Sequence, residues 1–295
     1  MKIGIPSGLS YYYFDELYKN FFENLGLEVI NSKTNKDIIK RGINIANDEM
    51  CLSLKIYLGH IDYLKDKCDY IFIPVIKSFG LNDQMCANFF SVYDIVNNLF
   101  DVKILDSIID YQNNKNELNS FLTIGKKLGF SKKKVKKAYE IAKIKYNKSI
   151  KKSIINNINN LNKNIKKVLL VGHSYVIHDD YIINEIVDNF RKQNCEIIYS
   201  DYFERIVTNN LAKHFSKNLY WKFSKENIGS IALCQDKVDG IVFVSSFPCG
   251  MDSLANELVM RKINKPYLNL VIDDLDASGG INTRIESFVD IIEQN

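Results

Sequence analysis

Short apolar runs alternate with stretches of helical spacing along the whole chain. Lys2 to Ile5 reads as a strand, and Tyr12 to Leu25 repeats apolar residues at helical intervals through Phe14, Leu17, Phe21, Phe22 and Leu25. Gly26 follows as the residue expected to end that helix. Glu28 to Ile30 predicts the next strand, Ile38 to Ala46 a short helix and Cys51 to Leu64 another. Tyr70 to Pro74 predicts a buried strand and Val102 to Leu105 a fourth. The second half repeats this order: a strand at Lys167 to Val171, a helix at Tyr181 to Gln193 and a strand at Glu196 to Tyr199. A strand at Gly240 to Val244, a helix at Ser253 to Arg261, a strand at Tyr267 to Ile272 and a closing helix from near Thr283 complete it.

Apolar strands that alternate with helices form parallel sheets covered on both faces. The expectation is an α/β protein of two Rossmann-like lobes with a cleft between them, residues 1–116 and 166–295, joined by a helical basic connector at 117–165. Ile3-Gly4-Ile5-Pro6-Ser7 matches Leu170-Val171-Gly172-His173-Ser174 in position, each followed by aromatic residues and a helix. Functional loops are then expected at the carboxyl ends of the strands.

Composition narrows the class. At 295 residues, 46% hydrophobic and 25% charged, the chain has the balance of a soluble globular protein with room for two cores. A net charge of +4 makes no case for nucleic acid. The connector run Ser131-Lys132-Lys133-Lys134-Val135-Lys136-Lys137 reads first as a solvated helical face, and second as a docking surface for an acidic electron-transfer partner. The amino terminus has no signal-peptide run and no window is apolar enough to span a membrane, so the protein is expected in the cytoplasm. Six cysteines in a reducing compartment are thiols or metal ligands, and no C-x-x-C pair occurs.

Three of those cysteines stand where chemistry needs them. Cys51 closes Asp48-Glu49-Met50-Cys51 at the expected start of a helix, where backbone N–H groups favour a thiolate. Cys86 lies in the loop after the strand ending at Pro74. Cys249 ends Ser245-Ser246-Phe247-Pro248-Cys249, just past a buried strand and just before Gly250. Three thiolates with one open position suit a [4Fe–4S] cluster. Zinc with His60 or His173 as fourth ligand competes, and so does a plain reading as small buried side chains. Cys68, Cys195 and Cys234 read as core or near-surface thiols.

Glu49 and His173 are candidate proton carriers, Glu49 and Asp48 doubling as helix caps. Lys55 falls one helical turn after Cys51, and His60 reads as a polar cap. Asp273-Asp274-Leu275-Asp276 offers carboxylates for a divalent ion or a capped loop. No phosphate loop, dinucleotide fingerprint or serine nucleophile elbow is present.

Asp48-Glu49-Met50-Cys51 running to Gly59-His60 resembles an element of the 2-hydroxyacyl-CoA dehydratase-like superfamily, and more specifically the domain of unknown function often fused behind the dehydratase activase. Ile3 to Pro6, Asp69 to Pro74, Gly172-His173, Leu219-Tyr220-Trp221, Ser246 to Ser253 and Thr283 to Phe288 fit the same pattern, so the resemblance covers essentially the whole chain. It implies a [4Fe–4S] cluster on Cys51, Cys86 and Cys249 between two Rossmann-like domains, with the fourth iron position left for water or a substrate oxygen. It also implies an anaerobic protein served by an ATP-dependent activase that delivers one low-potential electron. The chain leaves no room for the activase ATPase, so a separate protein is expected to supply that electron. Two departures stand out: Ala87 follows Cys86 where relatives often carry proline, and Leu275 and Ser278 replace a histidine and a carboxylate.

The function expected on this basis is low-potential electron transfer or reductive, dehydratase-type chemistry on a small or acyl-CoA substrate, in a homo- or hetero-oligomer. The alternatives are a non-catalytic cluster carrier or scaffold for an activase-like partner, and a metal-free two-lobed ligand-binding protein.

Overall fold

The computed structural model describes residues 1–273 and 278–294. The chain divides into two compact units, Met1–Ile150 and Lys151–Asn295. In the first, β1 (Lys2–Ile5), α1 (Tyr11–Asn24), β2 (Glu28–Asn31), α2 (Lys36–Ile45) and α3 (Leu52–Leu64) lead to β3 (Tyr70–Gly80). There follow β4 (Asp83–Gln84), α4 (Ala87–Leu99), β5 (Ile104–Asp110), α5 (Glu117–Lys127) and the long α6 (Lys132–Leu161), which continues past the division. The second unit runs β6 (Lys167–Val171), α7 (Ser174–Ile177), α8 (Asp180–Lys192), β7 (Glu196–Tyr199), α9 (Arg205–Leu211) and α10 (Lys222–Cys234). It closes with β8 (Gly240–Ser246), α11 (Gly250–Met260), β9 (Tyr267–Ile272) and α12 (Ser278–Gln294).

Both sheets have the same plan. Strands β2-β1-β3-β5 lie parallel in that order, with β4 folding back antiparallel on the end of β3. Strands β7-β6-β8-β9 repeat the order, all parallel. The repeat extends to single atoms. The Lys2 amide donates to Asp69 Oδ2 at 2.7 Å, and the Lys167 amide donates to Asp239 Oδ2 at 2.7 Å. Each aspartate amide returns a bond to the same lysine's carbonyl, at 2.9 and 2.8 Å. Lys2 pairs with Glu28 and Lys167 with Glu196. The equivalence therefore aligns Ile3 with Val168, two residues away from the match of Ile3 with Leu170 that the sequence suggests. A two-residue slip keeps every side chain on its own face, so apolar alternation alone does not detect it.

Helix ends obey local rules in both units. Gly26, at φ +85°, closes α1 with bonds from its own amide to Glu23 O (2.9 Å) and from Leu27 N–H to Phe22 O (3.1 Å). This is the Schellman arrangement, with the glycine at the left-handed position. Asn194, at φ +57°, closes α8 the same way, through its bond to Arg191 O and that of Cys195 to Phe190 O. Inside the first unit Tyr18 and Phe22 pack on Phe72 at 4.9 and 5.1 Å between ring centroids, and Phe21 on Phe121 at 4.4 Å. In the second, Leu169, Val171 and Phe243 of the sheet pack with Ile228, Ile231 and Ala255 of the covering helices. Burying each such side chain contributes roughly 1.5–3 kcal/mol.

One strand is longer than the sequence suggests. β3 continues beyond Pro74 to Gly80, with Pro74 paired to Ser107 of β5. A proline is tolerated there because β1 pairs with β3 only at Tyr70 and Ile71, so no neighbour on that side asks for the missing N–H. The basic connector is less uniformly solvated than its composition suggests. Lys143 bonds Glu117 at 2.8 Å, Lys145 bonds Asn20 Oδ1 at 2.7 Å and Lys134 bonds Leu25 O at 3.0 Å, while Lys132, Lys133 and Lys137 are exposed. Among the described residues no helix is long and apolar enough to cross a membrane.

Candidate functional site

Each of the three candidate ligand thiols is the residue immediately before a helix. Cys51 is the N-cap of α3, Cys86 of α4 and Cys249 of α11, all on extended backbone. These helices follow the carboxyl ends of strands, or, for α3, run back to deliver the chain to the start of β3. Their first turns therefore lie on the side of each sheet where ligands gather in parallel α/β folds. A helix start is also the end that favours an anion. Neither Cys51 nor Cys86 uses its sulfur to cap its own helix. Instead, the Asn88 side-chain amide, in the first turn of α4, donates to Cys51 Sγ at 3.3 Å. That bond brings the sulfur of Cys51 to the helix start that carries Cys86. Among the described residues, no three His, Cys, Asp or Glu side chains stand together as a metal-holding group.

The remaining cysteines are different. Cys68 Sγ donates to Leu64 O at 3.2 Å, Cys195 Sγ to Gln193 O at 3.7 Å and Cys234 Sγ to Ser230 O at 2.9 Å. Burial raises all three thiols above their ordinary pKa, Cys234 to about 12. The internal repeat explains them. Cys68 precedes Asp69 as buried Val238 precedes Asp239. Cys195 precedes Glu196 as buried Leu27 precedes Glu28, and Cys234 ends α10 as buried Leu64 ends α3. Each stands where the other unit has an apolar side chain.

His60 is not a cap. It lies within α3, fully buried, with Nδ1 2.6 Å from Ser32 Oγ and Nε2 3.1 Å from Thr34 Oγ1. Burial lowers its pKa to about 3, so it is neutral. With both nitrogens engaged by hydroxyls, it is not a ready zinc ligand. The helical spacing of Cys51 to Leu64 already carried this: α3 runs on past Gly59, so His60 has no helix end to cap. Asp48 and Glu49 are exposed in the turn before Cys51, where the Glu49 amide donates to Asn47 Oδ1 at 3.0 Å. Cys51, not either carboxylate, holds the cap position. Lys55 is half-buried on α3, and its amide bonds Cys51 O at 3.0 Å.

His173 sits at the end of β6, buried, with Nε2 2.9 Å from Asp252 Oδ1. Its ring stacks on Tyr175 at 4.9 Å. Asp252 lies in the first turn of α11, one helical turn after Cys249, and its Oδ2 is buried without a hydrogen-bond partner among the described residues. Nearby in the same unit, Asp201 accepts from Ser174 Oγ and lies 2.9 Å from His178 Nε2. Burial would raise the Asp201 pKa, but the His178 charge and the two hydrogen bonds hold it below its ordinary value. The serine and histidine both bind the carboxylate, so this is not a nucleophile–base relay. Asn88 and the roles of Asp252 and Asp201 were not readable from the sequence, because each depends on a partner distant along the chain. Of the Asp273 to Asp276 run, Asp274, Leu275 and Asp276 lie outside the described residues, as does the side chain of Ser278.

A family model described as the CoA enzyme activase uncharacterised domain (DUF2229) matches residues 2–203. No curated protein matches the chain. Solved structures of a periplasmic metal binding protein from candidatus liberibacter asiaticus are similar at 13% identity. A manganese-bound mutant form has a TM-score of 0.29 and covers 100% of this chain and 99% of that one. A metal-free mutant form has a TM-score of 0.27 at the same coverage, and a third form 0.28 with 99% of each chain covered.

Proposed function

The chain belongs to the family of the CoA enzyme activase uncharacterised domain, and on that premise we propose that it is an iron–sulfur protein in which Cys51, Cys86 and Cys249 hold a [4Fe–4S] cluster. It works in the cytoplasm with an ATP-dependent activase of the 2-hydroxyacyl-CoA dehydratase type, either passing on a low-potential electron or using it on a small or acyl-CoA substrate. The observation that carries the reading is the division among the six cysteines. Three donate to backbone carbonyls, have pKa values raised by burial and stand where the other unit has a buried aliphatic side chain, while the other three all stand at helix starts on the ligand-binding side of their sheets. Three soft sulfur donors fit an iron–sulfur cluster and leave one position without a protein ligand.

The cluster supplies one-electron chemistry and a Lewis-acidic iron. The chain's own residues do the rest. Helix starts at Cys51, Cys86 and Cys249 favour negatively charged sulfur by their exposed N–H groups. His173 and Asp252, buried together one helical turn from Cys249, form a pair able to hold or move a proton at His173 Nε2. Glu49, exposed before Cys51, is the second candidate for that work.

The test is iron and acid-labile sulfide content, with a visible spectrum, on protein purified without oxygen. About four iron and four sulfide per chain are expected in the wild type, lost in Cys51→Ser, Cys86→Ser and Cys249→Ser. Well-folded wild type without iron, or with zinc in its place, overturns the reading. A cluster that forms but reacts with no added substrate or iron ligand would make the protein a carrier or scaffold for the activase.

A further inference from the structure

The contact between Asn88 and Cys51 pairs one unit's chemistry with a gap in the other's. Asn88 is the second helical residue of α4, two positions after the Cys86 cap. Its counterpart two positions after the Cys249 cap of α11 is Met251, which has no donor. The counterpart of Cys51, at the start of the equally long α10, is Trp221. Thiol and amide thus occur together in the first unit and are both replaced in the second. Asparagine is a weaker helix former than alanine, so helix propensity does not account for it at the second position of α4. The half-buried side chain reaches across to α3 and meets Cys51 Sγ at 3.3 Å. A thiolate only accepts hydrogen bonds, so it takes the –NH2 end of the amide and not the carbonyl.

We propose that Asn88 is a positioning residue for the cluster proposed above: its amide holds Cys51 Sγ at the start of α4 and, by donating to the ligand sulfur, makes the cluster easier to reduce. The inference rests on that cluster. The physical cause is that adding an electron raises the negative charge on the iron-bound sulfurs, and an N–H donor stabilises the more charged state more strongly. The same bond orients Cys51 relative to Cys86 before metal arrives, which reduces the ordering that binding must impose.

The experiment is a redox titration of the cluster, followed by absorbance and electron paramagnetic resonance, in wild type, Asn88→Ala and Asn88→Gln, each with iron and sulfide measured. Asn88→Ala is expected to keep its iron and to shift its midpoint to more negative potential. At the poise where wild type is half reduced, its reduced fraction falls several-fold. Asn88→Gln keeps a donor amide on a longer arm and is expected to restore part of the shift. An Asn88→Ala protein with full iron content and the wild-type midpoint overturns the role of Asn88 and leaves the cluster standing. Wild type without iron overturns both.

Discussion

Helices α3 and α10 are the same element made twice, yet one starts with Cys51 and the other with Trp221. Both have a glycine eight positions after the cap, and both glycines press on a carbonyl of the preceding helix. A β-carbon on Gly59 would come 2.0 Å from Ile38 O, and one on Gly229 would come 1.8 Å from Thr208 O. One residue further on, the units part again, with His60 in the first and Ser230 in the second. His60 ties to the chain just after β2, whereas Ser230 only donates to Asn227 O at 2.6 Å within its own helix. The close helix contact is a requirement of the scaffold, so both units meet it with the same residue. The helix start makes no such demand, and there the two units carry different chemistry.

The widest gap between the units is expected on acidification. Burial holds the His60 pKa at about 3, below its ordinary value of 6.5. The native state therefore favours neutral His60 while the unfolded chain binds a proton, and stability present above pH 6.5 drains away as pH falls towards 3. At about 1.4 kcal/mol per pH unit, the first unit loses on the order of several kcal/mol. The second unit's sensitive group is Asp201, whose pKa is depressed below 3.8. Its contribution is present above pH 3.8 and is lost only below it. Hydrogen exchange between pH 6.5 and 4 should show peptides of α3 and β2 losing protection before those of α8 and β7. A His60→Gln variant should flatten that slope, and earlier loss in the second unit would break the distinction.

At the shared glycines the units should instead behave alike. Gly59→Ala and Gly229→Ala each put a methyl group against a backbone carbonyl, which cannot yield without separating two helices. The expected cost is about 3 kcal/mol in each unit, more than the roughly 1 kcal/mol that alanine returns in helix propensity. Denaturant melts of the two variants check this. A neutral result at either glycine would mean that the helix pair in that unit packs more loosely than its twin.

Much of this architecture is legible in the sequence, and its limits have physical causes. Alternation of apolar strands with helices predicts the parallel α/β plan in both halves, and Gly26 marks a helix end by its freedom to take φ +85°. Asn194 does the same work at φ +57° with a weaker signal, because asparagine is common in many settings. The helical period of Ala87 to Leu99 is blurred in the sequence because apolar residues lie nearly all round it, with Phe89, Val92 and Val96 buried but Phe90, Tyr93 and Ile95 only half-buried. Pro74 hides the true length of β3, since a proline inside a strand is tolerated only when one edge is open. The thiols at Cys51, Cys86 and Cys249 stand out by their place after strands or before helices. Asn88 does not, because a side chain that meets its partner 37 positions away leaves no periodic trace.

The smallest expected effect is also the sharpest use of the repeat. If Cys68, Cys195 and Cys234 are apolar positions that happen to hold sulfur, exchanging each for its counterpart in the other unit should do little. Cys68→Val, Cys195→Leu and Cys234→Leu trade a carbonyl-bonded thiol, half-buried at Cys68 and buried at the other two, for the side chain that packs at the same place in the twin unit. Cys68→Val is the closest in volume and is expected to change stability by less than about 1 kcal/mol. The two leucine exchanges add more volume at fully packed sites and are expected to cost up to about 1.5 kcal/mol, relieved by smaller Cys→Ala or Cys→Val partners if the pocket is tight. Denaturant melts give the stability, and iron content gives the chemistry, which should equal wild type in all three. Loss of iron in any one of them would move that cysteine into the ligand set and end the division on which the proposed cluster rests.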